Sequence, residues 1–120
     1  MTDQNSYTHI ADLHTEVALP EQAFKLKPIF QDKDVKAVLF HFLAGSELAE
    51  HTAPMPIIIQ VVSGQGRITI GSDSIKAKPG TWVHVAPDVP HSINATENLI
   101  MLLTLIKSAR PGSPDPAPLQ

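Results

Sequence analysis

Short apolar runs separated by glycine and proline dominate the middle of this 120-residue chain. Between Pro20 and Pro90 the breaks leave segments long enough for strands, and these segments are rich in β-branched and aromatic residues. The pattern predicts strands over residues 24–30, 35–43, 57–62, 67–70, 82–85 and 99–106. No segment keeps a helical period, so the sequence predicts an all-β sandwich or barrel.

The predicted strands differ in how many apolar faces they have. Residues 67–70 alternate polar and apolar side chains, as in a strand with one solvent-exposed face. Residues 38–43, 57–62 and 99–106 are apolar on both faces, although a two-layer sandwich buries only one face of each sheet. We therefore expect a second copy of the chain to cover the outer faces, forming a homodimer. The alternative is that the N-terminal segment folds over the sheet.

The ends of the chain differ from its middle. Residues 1–20 form a lead-in segment in which 9–13 fits either a helical turn or a strand, and residues 21–107 form the barrel domain. The tail over 108–120 carries four prolines among small and polar residues and has almost nothing to bury, so it is predicted to be disordered.

Composition removes several classes of function. The nine Lys and Arg residues are scattered and the formal net charge is −3, so the footprint of a nucleic-acid binder is missing. The absence of cysteine excludes disulfides and thiolate ligands. Because the first residues are polar, we expect no secretory signal, and the longest apolar run, 99–106, is far shorter than the ~20 residues of a membrane helix. We expect a cytoplasmic protein that binds neither nucleic acid nor membrane.

Two segments have glycine, proline and histidine at characteristic separations, and they resemble the motifs of the cupin superfamily. The first motif has the order Gly, His, His, Glu, Gly, and its spacing falls on Gly45, His51, Ala53, Ile57 and Gly64. The second has the order Gly, Pro, Gly, His, Asn, and falls on Gly80, Ala86, Asp88, His91 and Ala95. The resemblance covers residues 35–106 and implies a cupin-type double-stranded β-helix, or jelly-roll barrel.

The resemblance also implies where a metal would bind. In the family, three histidines and one glutamate usually hold a divalent metal, and this chain keeps two of the four as His51 and His91. Ala53 and Ile57 replace the others, so the implied metal site is degenerate. Two further residues are candidate ligands: Glu47, which has the strand parity of His51 if no bend intervenes, and His41 on the preceding strand.

The missing carboxylate affects which metal is plausible. An iron site of the two-histidine, one-carboxylate type needs that anionic ligand, so an orthodox cupin dioxygenase is not expected. Two imidazoles with water favour Zn²⁺, Ni²⁺ or Cu²⁺ over Fe²⁺ or Mn²⁺, and the absence of any metal remains open. An apolar pocket near the histidines is predicted, lined by Ala53, Met55, Ile57, Ile59 and Val61.

These features favour a small cupin barrel that binds a small molecule, with His51 and His91 as metal ligands or as ligand-contacting groups. One alternative is a metal-dependent isomerase or hydrolase. Another is a non-catalytic dimeric module. Whether the protein is an enzyme stays open, and no residue is assigned a catalytic role.

Overall fold

The computed structural model describes residues 6–109, so the tail predicted to be disordered lies mostly outside the described residues. A single 3₁₀ turn, Leu13–Thr15, precedes nine strands in the described part of the chain. The strands are β1 (Phe24–Gln31), β2 (Val35–Phe42), β3 (Glu47–His51), β4 (Ile57–Ser63), β5 (Gly66–Ile70), β6 (Asp73–Ala77), β7 (Trp82–Val85), β8 (His91–Ala95) and β9 (Leu99–Ile106). All six predicted strands are present, with ends that differ by at most one residue, whereas β3, β6 and β8 were not predicted.

The strands form two antiparallel sheets. The larger sheet has the order β1-β2-β9-β4-β7, and the smaller sheet has the order β3-β8-β5-β6. Consecutive strands cross between the sheets after β2, β3, β4, β6, β7 and β8, which is the double-stranded arrangement of a jelly roll. The predicted all-β barrel fold is therefore confirmed. Among residues 6–109 no helix is long and apolar enough to cross a membrane.

The main core lies between the two sheets. Side chains on alternate positions of both sheets meet there, as the two-residue period of a strand requires. The phenyl rings of Phe40 and Phe42 stack with their centroids 5.7 Å apart. The buried members are Val38, Phe40, Phe42, Ile57, Ile59, Val61, Ile68, Ala77, Val85, Ile93, Ala95, Leu99 and Met101. Burial of these side chains is the dominant stabilising contribution to the barrel.

The spacing of the motif glycines has a backbone cause. Gly45, Gly64 and Gly80 all have positive φ, between 84° and 94°. Asp88, at the position of the remaining motif glycine, also has a positive φ of 65°. Aspartate is one of the few residues that adopts this left-handed conformation. The motif is therefore retained as a set of turns, even where the residue type has changed.

The N-terminal segment covers part of the outer face of the larger sheet. Val17 is buried there with Leu39 and Ile100, and Leu13, Ile29, Val62 and Leu102 pack around them. The Nδ1–H group of His41 donates a hydrogen bond of 3.0 Å to the carbonyl of Val17. The N-terminal segment therefore covers this part of the outer face. This is the arrangement considered above as the alternative to a partner subunit.

Candidate functional site

His51 and His91 lie side by side on the smaller sheet. His51 is the last residue of β3 and His91 the first of β8, and the two are directly paired across the strands. Their ring centroids are 4.3 Å apart, with the ring planes inclined by 61°. His91 is only 3% exposed, whereas His51 is an exposed residue. This histidine pair therefore extends from the interior of the barrel to its surface.

Two proline-containing loops flank the histidine pair in the chain. Residues 52–56 follow His51 and residues 86–90 precede His91; we call this part of the molecule the histidine end of the barrel. The backbone N–H of Asp88 in one loop donates a 2.8 Å hydrogen bond to the carbonyl of Ala53 in the other. Four prolines restrict the backbone of these loops further. The frame around the pair is therefore fixed by backbone contacts.

Backbone carbonyls determine the tautomer of both rings. Nδ1 of His51 lies 2.9 Å from the carbonyl oxygen of Ala49, and Nδ1 of His91 lies 2.9 Å from that of Val89. Because a carbonyl oxygen only accepts, each Nδ1 must carry the proton and donate. In the neutral ring the Nε2 atom is then left with a lone pair.

The Nε2 atom of His91 reaches solvent although the residue is buried. Within residues 6–109 neither Nε2 atom has a hydrogen-bonding partner. Every fully buried side-chain nitrogen in this range has one, so the unpartnered Nε2 of His91 is not fully buried. Burial lowers the pKa of His91, its bond to Val89 raises it, and the neighbouring His51 lowers it; the net direction is downward. His91 is therefore neutral at pH 7 and presents an unprotonated Nε2.

The predicted pocket-lining residues fall into two groups. Ile57, Ile59 and Val61 are at most 4% exposed and belong to the packed core. Ala53 and Met55, in the loop before β4, are half-buried. The interior next to β4 is thus filled by side chains, and among the predicted lining residues only Ala53 and Met55 are partly exposed.

Glu47 lies away from the histidine pair because β3 contains a bulge. Leu48 is paired with Ile93 and His51 with His91, so three residues of β3 span two of β8. The extra residue reverses the parity between Glu47 and His51. Glu47 is paired with Asn94 instead, and both are exposed on the outer face of the smaller sheet.

His41 also lies away from the pair. It alternates along β2 with the core residues Phe40 and Phe42, so it points to the outer face of the larger sheet, where it bonds to Val17. His84 is exposed on the same outer face beside Trp82, because it alternates along β7 with Val83 and Val85, which pack in the core. In residues 6–109 no group of three or more His, Cys, Asp or Glu side chains is placed to hold a metal ion.

Lys36 is a candidate that the sequence analysis missed. It shares strand parity with the core residues Val38 and Phe40 at the start of β2, and it is half-buried. Its cross-strand partner Leu105 is also the partner of Ile57, which places Lys36 at the histidine end of the larger sheet. The sequence did carry a sign of this position, because Lys36 has the same strand parity as the apolar residues Val38 and Phe40.

Comparisons with known proteins agree with this architecture. A family model described as "Cupin domain" matches residues 38–106. An RmlC-like cupin from Desulfovibrio desulfuricans superposes with a TM-score of 0.76 at 25% identity, covering 84% of this chain and 98% of that one. A conserved protein of unknown function from Streptococcus pyogenes gives 0.75 at 24% identity, with coverages of 88% and 92%.

A cupin superfamily protein from Desulfitobacterium hafniense gives a TM-score of 0.73 at 19% identity, with coverages of 85% and 93%. No curated protein matches the chain significantly. The structural similarities establish the fold, and the family model covers more than half of the sequence, including both motifs and the two histidines. On these grounds the chain belongs to the cupin family.

Proposed function

We propose that this cupin binds a small molecule at the histidine end of the barrel, where the ligand contacts His51 and His91. The observation that supports this proposal most strongly is the paired arrangement of the rings. Both Nδ1 atoms are engaged by backbone carbonyls, and both Nε2 atoms are left without a partner in the described residues, beside an apolar interior. A few convergent polar groups on an apolar surface are typical of small-molecule sites.

Cupins often bind a metal, and the donor set of this chain fits such a centre poorly. Apolar residues occupy two of the four family positions, because Ala53 and Ile57 cannot coordinate. Glu47 and His41 point to outer faces and do not replace them. Two imidazoles alone would hold Zn²⁺, Ni²⁺ or Cu²⁺ weakly, with water completing the coordination, and Fe²⁺ or Mn²⁺ more weakly still.

A fragment screen on the full chain tests small-molecule binding. The library would contain small alcohols, phenols, amides and carboxylates, and binding would be followed by the NMR signals of the histidine side chains. We expect at least one fragment to shift the signals of His51 and His91 and to lose affinity in His51→Ala and His91→Ala. The matched control is His84→Ala, an exposed histidine on another face. Fragments that bind equally well to all three variants would contradict the proposal.

The metal content of the purified protein tests whether the histidine pair is a small-molecule site or part of a complete metal centre. Protein purified without an affinity tag should contain far less than one equivalent of iron or manganese. Stoichiometric iron or manganese that is lost in His51→Ala and His91→Ala would contradict the proposal, because it would require ligands that the described residues do not supply.

A further inference from the structure

The hydrogen bonds of the histidine pair restrict the chemistry of its ligand. A neutral imidazole whose Nδ1–H is already donated to a carbonyl offers only the lone pair of Nε2. Both rings of the pair donate their Nδ1–H group in this way, so in the neutral form of the pair two acceptors lie next to each other, on rings whose centroids are 4.3 Å apart.

The strand neighbours of the pair on the inner face of the smaller sheet are apolar and add no donor side chain. The residue paired with His91 on its other side is Ile70, and the next inward residue along β8 is Ile93. The row above the pair, Leu48 with Ile93, is likewise apolar. On the inner face of the smaller sheet, as far as residues 6–109 describe it, the polar groups at this point are therefore two acceptors among apolar side chains.

We propose, resting on the proposed function, that the ligand is an uncharged, largely apolar molecule whose hydroxyl groups donate hydrogen bonds to the Nε2 atoms of His51 and His91. An alcohol or a phenol with two neighbouring hydroxyls satisfies both acceptors at once. A carboxylate placed on the pair would bring its own lone pairs against those of the rings, with no proton between them. A ligand without donors would also displace water from these acceptors and leave them unpaired, which is costly, so such molecules bind less tightly.

Lys36 is an inward-facing cationic residue that bears on this selectivity. It lies on the opposite sheet at the histidine end, at the start of β2. An anionic ligand would be held by Lys36 and would not need the histidine pair. The two ligand classes therefore depend on different residues, which makes them separable by substitution.

Three aromatic probes of similar size separate the classes. Calorimetric titrations would use the full chain, stripped of metal with a chelator, at about pH 8, where a free imidazole is neutral. Catechol carries two hydroxyl donors, 1,2-dimethoxybenzene keeps both oxygens without a donor, and benzoate is an anion. We expect catechol to bind at least about tenfold more tightly than either of the others, since each lost hydrogen bond contributes about 1 kcal/mol.

The variants assign the selectivity to the pair. His51→Ala is suitable because His51 is exposed and its loss should leave the barrel folded, as thermal unfolding of the variant would show. We expect it to weaken catechol binding about fivefold, the effect of one bond, without changing the affinity for 1,2-dimethoxybenzene. His84→Ala should bind all three probes like the parent protein.

The remaining outcomes overturn the inference in different ways. Equal affinity for catechol and 1,2-dimethoxybenzene, reduced in both cases by His51→Ala, would refute the donor requirement and leave small-molecule binding intact. Preferential binding of benzoate that is lost in Lys36→Met would replace it with an anion site. No binding of any probe up to about 10 mM would also refute it, and the fragment screen would then decide the proposed function separately.

Discussion

At the scale of single residues, the orientation of His51 and His91 depends on the main chain. Each ring donates to the carbonyl of the residue two positions earlier, Ala49 or Val89. A carbonyl acceptor remains when its own side chain changes, provided that the local backbone is kept. The fixed tautomers are therefore a property of the β3 bulge and of the 86–90 loop, which hold these carbonyls in place.

The lowered pKa of His91 predicts a pH dependence of stability. The unfolded chain has the ordinary imidazole pKa of 6.5, so below that pH it takes up a proton that the native His91 resists. The contribution of His91 is fully present above pH 6.5 and is lost as the pH falls below it. Urea denaturation between about pH 5 and pH 8 should show a shallower acid loss of unfolding free energy in His91→Gln than in the parent. Parallel pH profiles would contradict this expectation.

Gly64 should be far less replaceable than Gly45, although their φ angles are nearly equal, at 84° and 87°. A Cβ atom on Gly64 would overlap the carbonyl oxygen of Asn98, whereas a Cβ on Gly45 meets nothing within 4 Å. We expect Gly45→Ala to cost about 1 kcal/mol, the strain of the left-handed conformation, and Gly64→Ala to cost more than about 3 kcal/mol. Urea denaturation measures the loss of unfolding free energy in both variants. Equal losses would show that the left-handed conformation, and not the overlap with Asn98, determines the cost.

At the scale of elements, hydrophobic patterning was sufficient for six of the nine described strands, and for two of the other three its failure has a clear physical reason. Those six strands carry β-branched or aromatic residues in runs that the core requires. In β3 (Glu47–His51) charged residues alternate poorly with apolar ones, because the strand lies at an edge and contains a bulge. In β6 (Asp73–Ala77) only Ile75 and Ala77 face the core, and two residues are too few to establish an alternating pattern.

The same distinction applies to the candidate site. The motif spacing predicted that His51 and His91 share a site, because it reflects a set of turns that the chain retains. It could not predict the position of Glu47, since a bulge is a property of strand pairing and leaves no mark in local composition. The contact of His41 could not be predicted either, because the residue that its ring bonds to, Val17, lies 24 positions away in the sequence.

The N-terminal segment stabilises the barrel through Val17. This side chain is 3% exposed against the outer face of the larger sheet, while Leu19, two residues later, is 53% exposed. Val17→Ala should lower the free energy of unfolding by about 2 kcal/mol, from the apolar surface and packing that it removes. Leu19→Ala, the matched control, should change it by less than about 0.5 kcal/mol. Similar effects of the two substitutions in urea denaturation would contradict the packing of this segment.

At the scale of the whole molecule, the described part of the N-terminal segment, from residue 6 onward, covers only part of the outer face of the larger sheet. Ile58 and Thr104 are half-buried there, and Trp82 on β7 is 57% exposed. We expect a second copy of the chain to cover this region, because an apolar sheet face with an exposed tryptophan is typical of an interface.

Light scattering at micromolar concentration tests the predicted homodimer. The parent protein should have the mass of two chains, and Trp82→Glu should shift it towards one chain by burying an unpaired charge in the interface. Lys76→Glu, an exposed change on the outer face of the smaller sheet, is the control and should leave the mass unchanged. A monomeric parent protein would contradict the prediction.

The proposal for the molecule as a whole is that its barrel presents two unprotonated imidazole nitrogens to a ligand. Long-range ¹H–¹⁵N correlation spectra of the histidine side chains test this most directly, with His51→Ala and His91→Ala to assign the signals. At about pH 8 both rings should carry their proton on Nδ1 and show an unprotonated Nε2. A proton on Nε2 of either ring would contradict the account, because that ring would then donate to the ligand instead of accepting from it.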